Sequence, residues 1–277
     1  MIVALAKWYL NLRPVTPADY YMNRKPLGRS FMEYKSECDP VEGFHFAFDL
    51  KLTGKDVLDL GCGFGGRTAY FAEMGAKSVT GVEVGADMVA ETIAFARQRG
   101  VSVRASVGCG ERLPFPDNSF DVITSYDVFE HVASLPDTLA ECYRVLRPGG
   151  TLYGVFPPFY HPTGGAHLHG YVSSSPIPHL LFSCAVLRRA IELIQEERDM
   201  AYRPARRPAD PLPTVNGTTV AQFFAILKNV PFSKKDVQLK PLNVGRLSFL
   251  RIILRVSTLL PLAREVCTSR IMCVLTK

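Results

Sequence analysis

Asp56-Val57-Leu58-Asp59-Leu60-Gly61-Cys62-Gly63-Phe64-Gly65-Gly66 decides the fold of this chain. Apolar Val57, Leu58 and Leu60 read as a buried strand running straight into a glycine turn, and the turn opens a helix. Glycine at 61, 63, 65 and 66 removes the Cβ where the chain must bend sharply and where a ligand must touch backbone. A strand, turn and helix in that order bind a nucleotide-like cofactor at the end of a buried parallel strand.

Downstream the pattern alternates. Arg67–Met74 predicts a helix stopped by Gly75, Ser78–Val82 a second strand, and Asp87–Arg99 a second helix stopped by Gly100. Val101–Val107 and Phe120–Ser125 read as the third and fourth strands. Ser134 predicts a helix cap, with Asp137 three residues on and Pro136 tolerated in the first turn. Arg147-Pro148-Gly149-Gly150 turns that helix into a fifth strand, Thr151–Phe156. Such a succession of strands and helices implies parallel pairing with right-handed crossovers, an α/β doubly wound sheet.

Regularity fails after Pro157. Residues 157–183 are rich in Pro, Gly, Ser and His and too long for an ordinary connection, so a lid or substrate insertion is expected at about 157–216. Helices are expected at Ala185–Glu197, Thr219–Lys228 and Leu247–Leu260, and strands at Asp236–Lys240 and Ile271–Thr276. Upstream, Pro14, Pro17, Pro26 and Pro40 break residues 1–55 into a helical and irregular extension of a domain spanning 56–277.

The bulk numbers agree with a folded, non-membrane chain: 277 residues, 47% hydrophobic and 21% charged, enough for one full α/β core. Seven scattered cysteines without a CxxC point away from a disulfide framework or a thiolate zinc site and toward a reducing cytoplasm. Met1–Leu12 is apolar, but Lys7 interrupts it and it falls short of the ~20 residues of a membrane span. It reads as a docking helix, with an interfacial anchor as the alternative. From Arg188 onward the chain carries +9 (16 Lys/Arg against 7 Asp/Glu), leaving −3 before it. That asymmetry suggests an anionic or lipid-linked small-molecule substrate, or peripheral membrane contact, with a solvated basic face as the plain alternative. Aromatic-interleaved basic runs of the nucleic-acid type are absent.

Gly61-x-Gly63-x-x-Gly66 with Glu83 at the end of the second strand satisfies a dinucleotide-binding pattern. A carboxylate there accepts both ribose hydroxyls, which NAD, FAD and S-adenosylmethionine all offer. Asp59, two residues before the first glycine, would repel a pyrophosphate but suits a ligand bearing an ammonium and a sulfonium. Gly108-Cys109-Gly110-Glu111-Arg112-Leu113-Pro114 through Phe120-Asp121, then Glu130-His131-Val132, and Leu146-Arg147-Pro148-Gly149-Gly150 follow in order.

With these motifs, residues 54–157 resemble the class I S-adenosylmethionine-dependent methyltransferases, and are similar to the ubiquinone/menaquinone methyltransferase-like small-molecule group. The resemblance implies a mostly parallel, Rossmann-like seven-stranded sheet whose last strand is antiparallel, and S-adenosyl-L-methionine as cofactor. It implies that Gly61 and Gly63 lie against the methionine moiety, Asp59 near its ammonium, Glu83 on the ribose diol and Val84 on the adenine. Cys62 in the turn, Gly110 beside Cys109, and Ser125 at the fourth strand's end complete the candidate cofactor set. The family commonly carries an aspartate at position 109 that accepts from the adenine amino group. Cys109 is a poor acceptor, so Glu111 or a backbone carbonyl is expected to take over.

Methyl transfer from a sulfonium needs an aligned nucleophile in a dry site, and a base only where the nucleophile sheds a proton. His131, after the fourth strand, is either that base or the anchor of its own turn, and the resemblance favours positioning. His167 and His169, in the long loop with His161 and His179, are the candidates for assisting deprotonation. Both rings fall on one side if the segment is extended, but no carboxylate cluster accompanies them to make a metal site. The expected function is methyl transfer to a small molecule, favouring oxygen on a sugar or glycan intermediate or an isoprenoid or polyketide lipid. The rivals are a non-catalytic S-adenosylmethionine-binding protein and an NAD-dependent oxidoreductase.

Overall fold

The computed structural model describes residues 1–14, 29–40, 43–161, 173, 175, 178–202, 215–241 and 261–277. Ahead of the sheet lie helices α1 (Ile2–Leu10), α2 (Arg29–Cys38) and α3 (Phe44–Phe48). Next come β1 (Asp56–Leu60), α4 (Gly66–Glu73), β2 (Ser78–Glu83), α5 (Ala86–Gln98), β3 (Arg104–Val107) and β4 (Phe120–Tyr126). The chain continues through α6 (Leu135–Val145), β5 (Leu146–Phe156), α7 (Pro178–Leu181), α8 (Cys184–Tyr202) and α9 (Val220–Lys228). It closes with β6 (Lys234–Pro241), α10 (Pro261–Cys267) and β7 (Thr268–Thr276).

The seven strands form one sheet in the order β3-β2-β1-β4-β5-β7-β6. The pairs among β1–β5 are parallel, whereas β7 runs antiparallel to β5. The doubly wound, mostly parallel sheet expected from the sequence is therefore the observed one. β1 is an interior strand between β2 and β4, where Val57, Leu58 and Leu60 are apolar on both faces, as a strand covered on both sides requires. The chain winds outward from β1 to β3 and returns on the other side at β4. The strand order thus reverses between β1 and β4, where open α/β sheets bind their ligands.

Ser134 caps α6 as expected, its hydroxyl accepting from the Asp137 amide. Some strands start elsewhere than expected, β7 among them at Thr268 rather than Ile271. β3 begins at Arg104 rather than Val101, since its only neighbour is β2 and pairing starts at Thr80↔Arg104. β5 begins at Leu146, which pairs with Phe120. The register then shifts so that Arg147-Pro148-Gly149-Gly150 bulges out before Val122↔Thr151 resumes the ladder. The expected helix at 247–260 lies outside the described residues, as do His167 and His169.

Contacts gather the chain into two compact units. One comprises Lys25–Phe156, Phe224–Gln238 and Ile271–Lys277 and contains most of the sheet. Its core sets Val57, Val79, Val122, Val155 and Met272 against Phe44, Leu50, Leu52 and Phe71. The other comprises Met1–Arg24, Pro157–Phe223 and Leu239–Arg270. There Ala6 and Leu10 of α1 pack with Phe159, Phe182, Leu187, Ala190, Ile191 and Ile194. Residues 25–55, read from the sequence as part of the N-terminal extension, thus group with the sheet.

Candidate cofactor site

The glycine turn leaves the carboxyl end of β1 with φ +70° at Gly61, a conformation that costs an L-residue energy. A Cβ on Gly61 would lie 2.2 Å from Val128 Cγ2, so the segment after β4 closes directly onto the turn. Gly66, the first residue of α4, is constrained from the other side. A Cβ there would meet the Ser30 carbonyl oxygen at 2.0 Å and the Tyr34 amide nitrogen at 2.5 Å. The third glycine of the motif therefore lets α2 cross the start of α4 backbone to backbone.

That crossing brings in a residue with no motif of its own. Glu33, on α2, accepts from the Phe64 amide at 3.2 Å through Oε1 and from the Gly66 amide at 3.0 Å through Oε2. It satisfies donors that the start of a helix leaves open. Burial pushes its carboxyl up to about 7; nearby Arg67 and the two amides oppose the rise without cancelling it.

Glu83, at the end of β2, accepts from the Gly63 amide at 3.1 Å and from the Val84 amide at 2.8 Å. Its carboxylate is thereby fixed beside the turn, at the carboxyl edge of the sheet. Val84 and Val107, at the ends of β2 and β3, are exposed. Gly110 is buried, whereas Cys109 is exposed. Ser125 stands on β4 opposite Leu60, its hydroxyl buried and, among the described residues, without a hydrogen-bond partner.

Asp59 is placed differently from Glu83. It is buried, with Oδ2 accepting from the Thr68 hydroxyl at 2.7 Å and Oδ1 from the Thr124 hydroxyl at 3.0 Å. Burial raises its pKa against the pull of Arg67 and the two hydroxyls. Here its oxygens tie β1 to α4 and β4. Cys62 is likewise enclosed, its Sγ 3.8 Å from Thr92 Oγ1, and burial pushes its thiol up. Glu111 turns toward α6 and accepts from the Ala133 and Ser134 amides at 2.5 and 3.2 Å. Although burial alone would raise it, these amide bonds hold its carboxyl below the usual range.

His131 follows Val128 in the turn after β4, its amide donating to the Val128 carbonyl at 2.8 Å. Its Nε2 lies 3.8 Å from Glu130 Oε1. His131 is therefore on the segment that closes over Gly61. Beneath the site, Arg67 of α4 donates through Nε to Glu37 Oε1 at 2.7 Å and stacks 4.1 Å from the Tyr126 ring centroid. His45 Nδ1 lies 3.4 Å from Glu37 Oε2, and Tyr70 approaches its Nε2 at 3.2 Å.

Glu33, Val128 and the Arg67–Glu37–His45 set were not visible in the sequence. Glu33 lies 33 residues before Gly66, and no spacing rule relates them. Only Gly66 hinted at a close approach, without saying what approaches.

The residues present fit a nucleoside that bears an amino acid. A carboxylate fixed at the β2 end suits a ribose diol, exposed Val84 and Val107 suit a ring, and the buried Ser125 hydroxyl has a hydrogen bond left to make.

Comparison with known proteins supplies the family. Residues 58–154 match the family described as "Methyltransferase domain". Sterol 24-C-methyltransferase ERG6B of Gibberella zeae is 35% identical over 105 residues, which cover 37% of this chain and 27% of that protein. The malonyl-[acyl-carrier protein] O-methyltransferase of Serratia marcescens is 31% identical over 159 residues, covering 54% and 58%. Among solved structures, phosphoethanolamine N-methyltransferase 2 of Haemonchus contortus, in complex with S-adenosyl-L-methionine, superposes with a TM-score of 0.53 at 17% identity. That superposition covers 83% of this chain and 50% of the other and shows the shared fold. The chain spans less than two thirds of the length of each of these proteins. Sheet order, glycine turn and family match together identify residues 58–154 as a methyltransferase domain of the class I S-adenosylmethionine-dependent kind.

Proposed function

We propose that this chain transfers a methyl group from S-adenosylmethionine to an oxygen of a small molecule, with sugar or glycan intermediates and isoprenoid or polyketide lipids as the acceptor classes. The observation that carries the reading is the Glu83 carboxylate, fixed on the Gly63 amide at the switch point of the sheet. The relatives named above are a C-, an O- and an N-methyltransferase. The O-methyltransferase aligns over 159 residues against 105 for the sterol C-methyltransferase, which supports oxygen over carbon here.

Bound S-adenosylmethionine supplies an electrophilic methyl on a positively charged sulfur. The chain's own part is to hold and exclude. Glu83 takes the ribose hydroxyls, Val84 and Val107 give the adenine an apolar edge, and the Gly61–Gly63 backbone receives the methionine portion. Val128, packed on Gly61, keeps water from the turn, which favours a charge-quenching displacement. His131 orients the acceptor from the same segment. A base from the long loop, His167 or His169, accepts the acceptor's proton where one must leave.

Calorimetry with S-adenosylmethionine, its demethylated product and NAD, on wild type and Glu83→Gln, tests the cofactor half. Binding of the first two, weakened about tenfold or more in the variant, is expected from the loss of charge-assisted bonds to the diol. Preferential uptake of NAD would overturn the reading. Mass analysis of hydroxylated acceptors then reads the gain of one methyl, and cofactor binding without methyl loss across the panel would favour a non-catalytic binder.

A further inference from the structure

Helix α1 is apolar on both faces. One face, Ala6 and Leu10 with Val3 and Tyr9 beside them, packs into the core shared with α8, where the Tyr9 and Phe182 rings lie 5.9 Å apart. The opposite face carries Ile2, Leu5 and Trp8, and Leu12 follows just past the helix end, each more than half exposed at 53–58%. A helix apolar all round is normally enclosed, and one covered side does not account for the other. Lys7 is the only charge in Ile2–Leu10, and it is paired with Glu197 at the flank of the helix.

α7 lies against α1 and also presents Leu180 and Leu181 to solvent. The unit that contains both helices is also the one that holds the chain's positive charge. It carries 15 Lys/Arg against 7 Asp/Glu, a net +8, whereas the remainder of the chain is at −2. Among the described residues, no helix is long and apolar enough to cross a membrane. An exposed apolar helix face in a unit of net positive charge matches a surface that is negative outside and hydrocarbon beneath. The sole tryptophan of the chain stands on that face, and indole favours the headgroup boundary.

We propose that the Ile2–Leu5–Trp8 face of α1, with Leu12 beyond its end and Leu180 and Leu181 of α7, docks the protein in the plane of an anionic lipid surface. This inference does not rest on the identity of the methyl acceptor or on cofactor binding.

The single tryptophan makes the test direct. Purified full-length chain is titrated with vesicles of phosphatidylcholine alone and of phosphatidylcholine mixed with phosphatidylglycerol. Tryptophan emission and co-flotation are read in parallel. A blue shift and co-flotation are expected with the mixed vesicles, weakened by high salt. Leu5→Gln/Leu12→Gln, which leaves Ala6, Leu10 and Trp8 in place, should lower the partition coefficient about tenfold or more. An unchanged far-ultraviolet dichroism spectrum shows that this variant remains folded. Absence of shift and flotation, equal partition onto both vesicle types, or undiminished binding by the variant each overturns the proposal. So does a blue shift without lipid that grows with protein concentration alongside a dimer in sedimentation, since the face would then be an interface between copies.

Discussion

Glu33→Gln separates the two things that Glu33 does, because its two effects on stability have opposite signs and different pH dependence. The Glu33 carboxyl titrates at about 7 in the folded chain against 4.5 when unperturbed. A raised folded pKa means the folded state holds the proton more tightly. The associated stability is fully present below about pH 4.5 and is lost as pH rises through 7. At about 1.4 kcal/mol per pH unit, that interval corresponds to about 3 kcal/mol, which wild type gives up across it and a neutral glutamine does not. Against this, glutamine has one acceptor oxygen where the carboxyl offers two. Either the Phe64 or the Gly66 amide then loses its partner, costing about 1 kcal/mol at every pH.

The variant should therefore be less stable than wild type by about 1 kcal/mol near pH 4.5 and more stable by about 2 kcal/mol above pH 7.5, so that the two stability curves cross. Urea unfolding followed by circular dichroism at intervals from pH 4.5 to 8 measures this as a difference curve. Groups that titrate alike in both proteins cancel from it. A difference that stays flat with pH would refute the reasoning, because the ionised carboxyl would then cost nothing in its folded position. A variant that is the less stable at pH 8 would refute it too.

Two further substitutions test the turn itself. Gly66→Ala drives a methyl group into the Ser30 carbonyl at 2.0 Å, and backbone on α2 cannot rotate away as a side chain could. A loss of about 3 kcal/mol or failure to accumulate folded protein is expected. Gly100→Ala, with nothing within 4 Å but φ +73°, should cost only about 1 kcal/mol by the same denaturation assay. Equal losses at the two sites would mean that the α2 contact is not what fixes Gly66. Cys109→Asp supplies the acceptor that the family resemblance leads one to expect beside the adenine. Calorimetry should show S-adenosylmethionine bound roughly three- to tenfold more tightly, and unchanged affinity would mean that position 109 does not reach the base.

What the sequence made legible follows from the range over which each interaction acts. β1, β2 and β4 are buried on both faces, so their apolar runs stand out. The glycine turn is a local backbone requirement written in adjacent residues, and Ser134 and Asp137 form a cap three residues apart. Strand ends that depend on a neighbour are not written locally: Val101 is apolar and Ser102 small, both compatible with a strand, but the β2 ladder reaches back only to Arg104. The bulge at Arg147–Gly150 reads as a turn in the sequence because proline and two glycines serve both.

The candidate site divides along the same line. Glu83 is legible because its distance from the turn is set by one strand–turn–helix–strand unit, and its carboxylate accepts from the Gly63 amide. Asp59 was legible as a position, yet its surroundings were not. The Thr68 and Thr124 hydroxyls that occupy its oxygens come from α4 and β4, and neither forms a pattern with it. Asp59 and Glu83 carry the same functional group, but one is sealed among hydroxyls and the other holds backbone amides at the sheet edge. A carboxylate at the edge can exchange its partners for a ligand's hydroxyls without opening the core, whereas Asp59 would have to release two strand-to-helix and strand-to-strand bonds first. Glu83 is thus the carboxylate that a ligand could reach without opening the core, whereas Asp59 holds β1 to α4 and β4.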